Sequence, residues 1–208
     1  MDNTPLEKEV KFYITDLVAL KNRLISLGAN LVQPRTHEVN YRFDDAQASL
    51  AAQGMALRLR QDAVARLTLK GASAEVEGVR VRPEYEIEVD NLLTAQSILQ
   101  ELGYEVVVSY EKWRTTYTLK GLLITLDELP YGKFCEIEGD DTSLIRSTAA
   151  MLALAWDKRI DASYLSLFEG LKRKMKVNMQ NLTFAAFSAV SVSSSDLGVK
   201  PADSPQFL

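Results

Sequence analysis

The chain has 208 residues, 24 basic and 28 acidic side chains, a formal net charge of -4, one histidine and one cysteine. That length supports one sizeable domain with appendages, and the balanced charge gives no global basic field to draw nucleic acid. A lone Cys135 excludes an internal disulfide framework and agrees with a reducing, cytoplasmic compartment. The first residues, MDNTPLEKEVK, lack the apolar stretch of a signal peptide, and no apolar run is long enough to span a bilayer, so no membrane partner is expected.

Residues 6–14, LEKEVKFYI, read as a strand. Successive strand side chains point to opposite faces, so Glu7, Glu9 and Lys11 share one side while Val10, Phe12 and Ile14 share the other. DLVALKNRLISLG follows with Leu17, Leu20, Leu24 and Leu27 at helical spacing, Asp16 as cap and Gly28 as stop. The chain is extended again from Leu31 to Asp44, and a short helical stretch, DAQASLAAQ, leads to Gly54. Strands MALRLRQD and ARLTLKGA are joined by a turn at Asp62 and Ala63, SAEVEG reads as a loop, and VRVRPEYEIEVD alternates almost perfectly. Asn91 to Gly103 repeats the earlier helix with its closing Leu-Gly. Then come YEVVVSYEKWRTTYTLKG, the strand GLLITLDEL, the turn PYGK and the strand FCEIEGD. Helical patterns at 142–154 and 162–174 end the body; residues 175–208 read as an extension whose last part, 190–208, is a loosely attached tail. Residues 5–44 and 82–120 share one β-α-β plan, which predicts an internal duplication.

Charged side chains recur on one face of nearly every strand. Arg58 and Arg60 share a face, as do Arg66, Thr68 and Lys70, and Arg80, Arg82, Glu84, Glu86 and Glu88. Lys112 and Arg114 form another such pair, as do Glu136 and Glu138, and Thr125 lies beside Asp127. A solvated sheet face would use more Ser, Asn and Gln, and the helices between the strands need the apolar faces for cover. If helices cover the outside, the charged faces point at one another. The predicted fold is therefore α+β: a closed antiparallel β-barrel tunnel of about eight strands with helices packed outside. Arg and Lys confined with Glu and Asp suit a polyanion whose oxygens are shared with a hard divalent cation.

These residues carry a family resemblance. EKEVK at 7–11 resembles the ExExK signature of the CYTH superfamily, the triphosphate tunnel metalloenzymes, which includes class IV adenylyl cyclases, thiamine triphosphatases and inorganic triphosphatases. GMALRLR, RLTLKG, RPEYEIEV, YEKWRTTY, LDELPYGKFCEIEG and SYLSLF follow in the family's order, so the resemblance spans about residues 5–170. It implies a small-molecule triphosphate substrate and Mg²⁺ or Mn²⁺. The implied substrate-binding bases are Lys11, Arg58, Arg60, Lys70, Arg82, Lys112 and Arg114. The implied metal carboxylates are Glu7, Glu9, Glu84, Glu86, Asp127, Glu136 and Glu138, with Glu7, Glu9 and Lys11 at the reacting end of the substrate. HEVNYRFDD departs from the pattern: Asn40 and Arg42 stand where many relatives carry an acid and a tyrosine, which leaves substrate selection open. The implied reaction is triphosphate hydrolysis; cyclisation of ATP to cyclic AMP and pyrophosphate is the alternative, and a non-catalytic polyphosphate or nucleotide binder is a third. No nucleic-acid partner is expected, and a homodimer stays open.

Overall fold

The computed structural model describes residues 5–203. Its strands are β1 (Leu6–Ile14), β2 (Asn30–Asp44), β3 (Ala56–Gln61), β4 (Ala65–Lys70), β5 (Ala74–Val76), β6 (Val79–Val89), β7 (Glu105–Leu119), β8 (Leu122–Leu129), β9 (Gly132–Glu138) and β10 (Arg159–Ile160). The helices are α1 (Leu17–Ser26), α2 (Ser49–Ala52), α3 (Leu92–Glu101), α4 (Thr142–Met151) and α5 (Tyr164–Met175), with a short 3-10 turn at Trp156–Lys158.

All pairings between strands are antiparallel, in the order β10-β1-β9-β8-β7-β2-β3-β4-β6-β5. A further pairing of β1 with β6, Leu6–Glu9 against Arg80–Pro83, closes eight of them into a ring. The expected barrel is thus present, though unevenly built. Closure rests on the four registered pairs of that seam, whereas β2 and β7 run together from Asn30↔Thr118 to Asp44↔Glu105. Register shifts in that long pair flank Pro34, which has no N–H to give the ladder.

The duplication read from the sequence organises the ring. The first unit runs β1-α1-β2-β3-β4 and the second β6-α3-β7-β8-β9; β1 pairs with β6, and β2 with β7. Each hairpin, β3-β4 or β8-β9, then joins its own unit to the first strand of the other. The two helices share their punctuation. Asp16 and Asn91 accept N-cap bonds, and Gly28 and Gly103 take φ of +79° and +89° beyond each C-terminus.

Outside the barrel, α1 and α4 cover Val10, Phe12, Ile124, Cys135 and Ile137, and α2 and α3 cover Phe43, Leu57 and Leu59. Two segments differ from the expectation. SAEVEG is not simply a loop: Ala74–Val76 pairs with β6 through a tight turn at Glu77 and Gly78, both at positive φ. The segment after α5 is not loosely attached through Asp203. Leu182, Phe187, Leu197 and Ala202 are buried, and Asp203 accepts the backbone N–H of Thr15 and Asp16. The apolar run FAAFSAV at 184–190 is compatible in sequence with packing on the body or on a partner, and Phe187 packs on the body; the aperiodic stretch beyond it gives no such sign for Leu197 and Ala202. Residues 204–208 of the predicted tail lie outside the described residues. Among the described residues, no helix is long and apolar enough to cross a membrane.

Candidate active site in the barrel lumen

Period-two alternation on the eight ring strands sends one set of side chains inward, and these fall into three charged groups. The deepest joins β1, β2, β7, β8 and β9. Arg114 binds Asp127 with two parallel bonds, Nε to Oδ1 at 2.7 Å and Nη2 to Oδ2 at 2.5 Å, and reaches Glu136 Oε2 at 2.6 Å. Lys112 Nζ lies 3.1 Å from Asp127 Oδ2 and 3.4 Å from Glu38 Oε1, while Lys11 Nζ lies 3.2 Å from Glu136 Oε1. Burial opposes ionisation of Glu38 and Glu136, yet the adjacent bases win and hold both carboxyls below the usual carboxylate range.

α5 meets this group from one end of the barrel. The Tyr164 hydroxyl donates to Asp127 Oδ2 at 2.9 Å, and the Lys11 ammonium sits 4.4 Å from the Tyr164 ring. Tyr13, Tyr110 and Phe134, which occupy inward positions of their strands at this end, pack with Tyr131, Tyr164, Phe168, Leu182 and Phe187. Apolar side chains therefore fill the lumen there.

The second group lies on β3, β4 and β6. Glu86 receives Arg60 at 3.1 Å, Arg58 at 3.6 Å and Arg66 at 3.6 Å, and accepts the Thr68 hydroxyl at 2.7 Å. The Nε atoms of Arg58 and Arg60 and the Oδ1 of Asn40 are buried without a hydrogen-bond partner. Buried donors on guanidinium groups are costly to leave unmet, so these atoms mark where an acceptor ligand belongs.

The third group sits at the β1–β6 seam. Glu7 receives Lys70 at 2.5 Å and Arg82 Nε at 2.6 Å; Lys70 also holds Glu84 at 2.9 Å. Glu9 is cross-strand from Glu138 and has only longer contacts, to Arg82 at 3.5 Å and Arg80 at 3.9 Å. Burial would raise the Glu7 carboxyl, but Lys70 and Arg82 bring it down to about 2. Glu138 has the opposite fate: it joins no ion pair among the described residues, and burial together with Glu7, Glu9 and Glu84 raises it to about 7.

Every side chain expected at the site faces the lumen, but not in one cluster. Lys11, Lys112, Arg114, Asp127 and Glu136 form the deep group; Arg58, Arg60 and Glu86 the second; Glu7, Glu9, Lys70, Arg82, Glu84 and Glu138 the seam. For a divalent cation the structure discriminates among the carboxylates. Asp127, Glu136 and Glu86 each have a basic nitrogen within 3.1 Å and a second basic partner, whereas Glu138 joins no ion pair among the described residues and Glu9 has only contacts of 3.5 and 3.9 Å, with Glu7 and Glu84 close enough to raise Glu138. All-oxygen donors, with Glu138 unpaired and Glu9 only loosely paired among the described residues, fit a hard cation at the seam. Among the described residues, no three of His, Cys, Asp and Glu converge closely enough to hold an ion as they stand.

Lumen residues outside the expected set are Glu38, Asn40 and Arg42 of β2, Thr68 of β4, Tyr110 of β7 and Tyr164 of α5. Glu38 shares the strand alternation of its neighbours; Tyr164 lies in the family-like SYLSLF segment, but no strand alternation sends it into the lumen. Cys135 and Trp156 pack in the outer core, and burial raises the Cys135 thiol. His37 packs on Trp113, 4.8 Å between ring centres, away from the lumen.

Comparisons with known proteins agree with this architecture. The CYTH domain model matches residues 5–146. The chain is 30% identical over 145 residues to the adenylate cyclase CyaB of Aeromonas hydrophila, an alignment covering 67% of this chain and 72% of that protein. A proposed adenylate cyclase of Vibrio parahaemolyticus has the same fold, with a TM-score of 0.72, 24% identity, and coverage of 80% of this chain and 99% of that one. A proposed adenylyl cyclase of Hippeastrum with a dominant triphosphatase activity has a TM-score of 0.57, 22% identity, and coverage of 78% and 95%. With its domain match extending over more than half the sequence, this chain belongs to the CYTH domain family.

Proposed function

We propose that the chain is a metal-dependent phosphohydrolase acting on a triphosphate bound in the lumen. The observation that carries this reading is the pair of buried Nε donors on Arg58 and Arg60 that make no hydrogen bond, the second having only Asp62 at 3.7 Å, set in a lumen whose least-paired carboxylates lie at a separate seam. Guanidinium donors without acceptors call for phosphate oxygens, and crowded carboxylates call for a cation; a triphosphate with its metal supplies both. Membership in the CYTH family, whose members act on triphosphates, supports the same substrate class.

Arg58, Arg60, Lys70 and Arg82 bind the phosphate chain by exchanging carboxylate partners for phosphate oxygens. Glu9 and Glu138, with Glu7 and Glu84, would hold Mg²⁺ or Mn²⁺, which when bound supplies charge neutralisation at the phosphoryl oxygens. Glu9 has the weakest ion pairs of the seam and is the carboxylate best placed to orient a water toward phosphorus. Lys11, Lys112 and Arg114 keep the deep group rigid through Asp127, Glu38 and Glu136. Phosphate release from tripolyphosphate that requires Mg²⁺ or Mn²⁺ and disappears in Glu138→Gln tests this reading; metal-independent release at an undiminished rate in that variant contradicts it.

The alternative in which the 3′-hydroxyl of ATP attacks the α-phosphorus draws on the Aeromonas relative, an adenylate cyclase. It requires a place for adenosine in the lumen, so cyclic AMP among the products distinguishes it directly. A binding module without turnover requires no crowded carboxylates, and Glu138→Gln would then leave affinity intact or strengthen it.

A further inference from the structure

One inward base, Arg42 of β2, makes no ion pair among the described residues; Asp44, two residues along the same face, acts on it only from a distance and spends its oxygens on the backbone N–H groups of Leu50 and Ala51. The Arg42 guanidinium donates only to the Met55 carbonyl, Nη2 to O at 3.2 Å. It stands directly across the ladder from Arg58, a like-charge pair at neighbouring positions that costs stability unless an anion lies between. Arg82 lies within electrostatic range of both the seam and Arg42. The unpartnered Nε atoms of Arg58 and Arg60 and the buried Oδ1 of Asn40 are on the same two strands, with Asn40 cross-strand from Arg60. This wall of β2 and β3 therefore carries one guanidinium beyond what its own carboxylates balance.

Among the described residues, no aromatic ring of the lumen is open to a nucleobase. Tyr164 has Lys11 at 4.4 Å and Lys112 at 5.4 Å from its ring centre, and Tyr110 is buried with its hydroxyl on Arg58 at 3.4 Å. Tyr13 and Phe134 pack edge to face against each other within the apolar fill. A nucleoside triphosphate would bring a neutral sugar and base to a wall of charge; inorganic tripolyphosphate presents ionised oxygens along its whole length.

Building on the triphosphate reading above, we infer that Arg42 is a further phosphate-binding residue and biases the lumen toward an inorganic polyphosphate over a nucleoside triphosphate. Its charge reaches the phosphate through the same oxygens that satisfy Arg58, so the two guanidiniums clamp one phosphoryl group between β2 and β3.

The test compares the full chain with Arg42→Gln and Arg42→Lys, using tripolyphosphate and ATP. Two readouts are taken: KM and kcat with Mg²⁺, and affinity by calorimetry with the metal chelated. Loss of one charge-assisted hydrogen bond predicts a rise of roughly tenfold or more in KM and Kd for tripolyphosphate in Arg42→Gln. The rise for ATP is at least threefold smaller, and Arg42→Lys recovers part of the difference. Equal weakening of both ligands, or no weakening of tripolyphosphate, overturns the inference; a thermal melt of each variant shows whether it is folded when measured. If the wild-type chain turns over neither substrate but calorimetry shows the Arg42-dependent preference, hydrolysis fails while the anchoring role stands.

Discussion

Replacing Lys112 with methionine keeps a long unbranched side chain and removes one buried charge, and the structure says what that uncovers. Lys112 is 2% exposed, and its ammonium is the only base in an ion pair with Glu38 among the described residues, at 3.4 Å. Asp127 loses a 3.1 Å contact but keeps the two bonds from Arg114 and the Tyr164 hydroxyl. Glu38 is 1% exposed and keeps the Asn40 amide, Nδ2 to Oε1 at 2.9 Å, as its direct partner, with Arg114, Arg58 and Arg60 acting on it from farther off. Removing one partner of a buried pair costs about 3–5 kcal/mol, because the remaining charge is left without a direct ionic contact and cannot hydrate. For a chain of this size each kcal/mol moves Tm by roughly 2–4 °C, so the melting point falls by roughly 6–20 °C. The second half of the experiment isolates the cause. In Glu38→Gln/Lys112→Met the stranded charge is gone, and the double variant is more stable than Lys112→Met alone by at least about 1 kcal/mol, a coupling typical of direct contacts. Equilibrium unfolding in urea, followed by the fluorescence of Trp113 and Trp156, gives both numbers, with an unchanged m-value as the check on a common unfolding reaction. A cost for Lys112→Met below about 1 kcal/mol, or simple additivity in the double variant, would refute the view of the deep group as a mutually neutralised unit.

Other expectations concern the seam, the tail and acid. Glu136→Ala takes from Lys11 its ion-pair partner and from Arg114 one of its two carboxylates, and lowers stability by about 3 kcal/mol, so loss of activity in that variant does not bear on metal binding; Glu138→Gln abolishes metal-dependent turnover while the melt stays within a few degrees of wild type. Glu7, depressed from 4.5 to about 2, gives stability that is complete above pH 4.5 and is lost as pH falls from there to 2. That shift corresponds to roughly 3 kcal/mol, and Glu7→Gln flattens the acid limb of stability against pH measured in urea. Leu182→Ala empties a fully buried position of the C-terminal segment and costs about 2–5 kcal/mol in the same assay; a cost near zero would mean that the segment is not part of the core.

The barrel was legible because its signature is periodic. Period-two charge on nearly every strand and helices in between leave few other architectures, and the Leu-Gly helix ends at Gly28 and Gly103 exposed the duplication. The same alternation put Glu7, Arg82, Lys112 and Glu136 on the inward face. It could not say which inward acid meets which base, since that depends on strand tilt and on the shifts around Pro34. Asp127 and Glu138 look alike in sequence, yet one is clasped by Arg114 and the other faces Glu9. Glu38 and Arg42 share the alternation of HEVNYRFDD, but a strand that mixes Asn40 and Tyr41 with its charges shows no run of like residues to mark its inward face. Tyr164 enters from α5, and no strand rule reaches a residue that approaches the lumen from its end.

Hydrolysis of a triphosphate in this lumen, with the help of a divalent cation, is the central claim. A ³¹P NMR time course of the full chain with tripolyphosphate and, separately, ATP, each with Mg²⁺ or Mn²⁺, tests it most directly. The expected result is orthophosphate and pyrophosphate from tripolyphosphate, no cyclic AMP from ATP, and no reaction when the metal is chelated. Cyclic AMP and pyrophosphate from ATP without orthophosphate, or no turnover of either substrate, would contradict it.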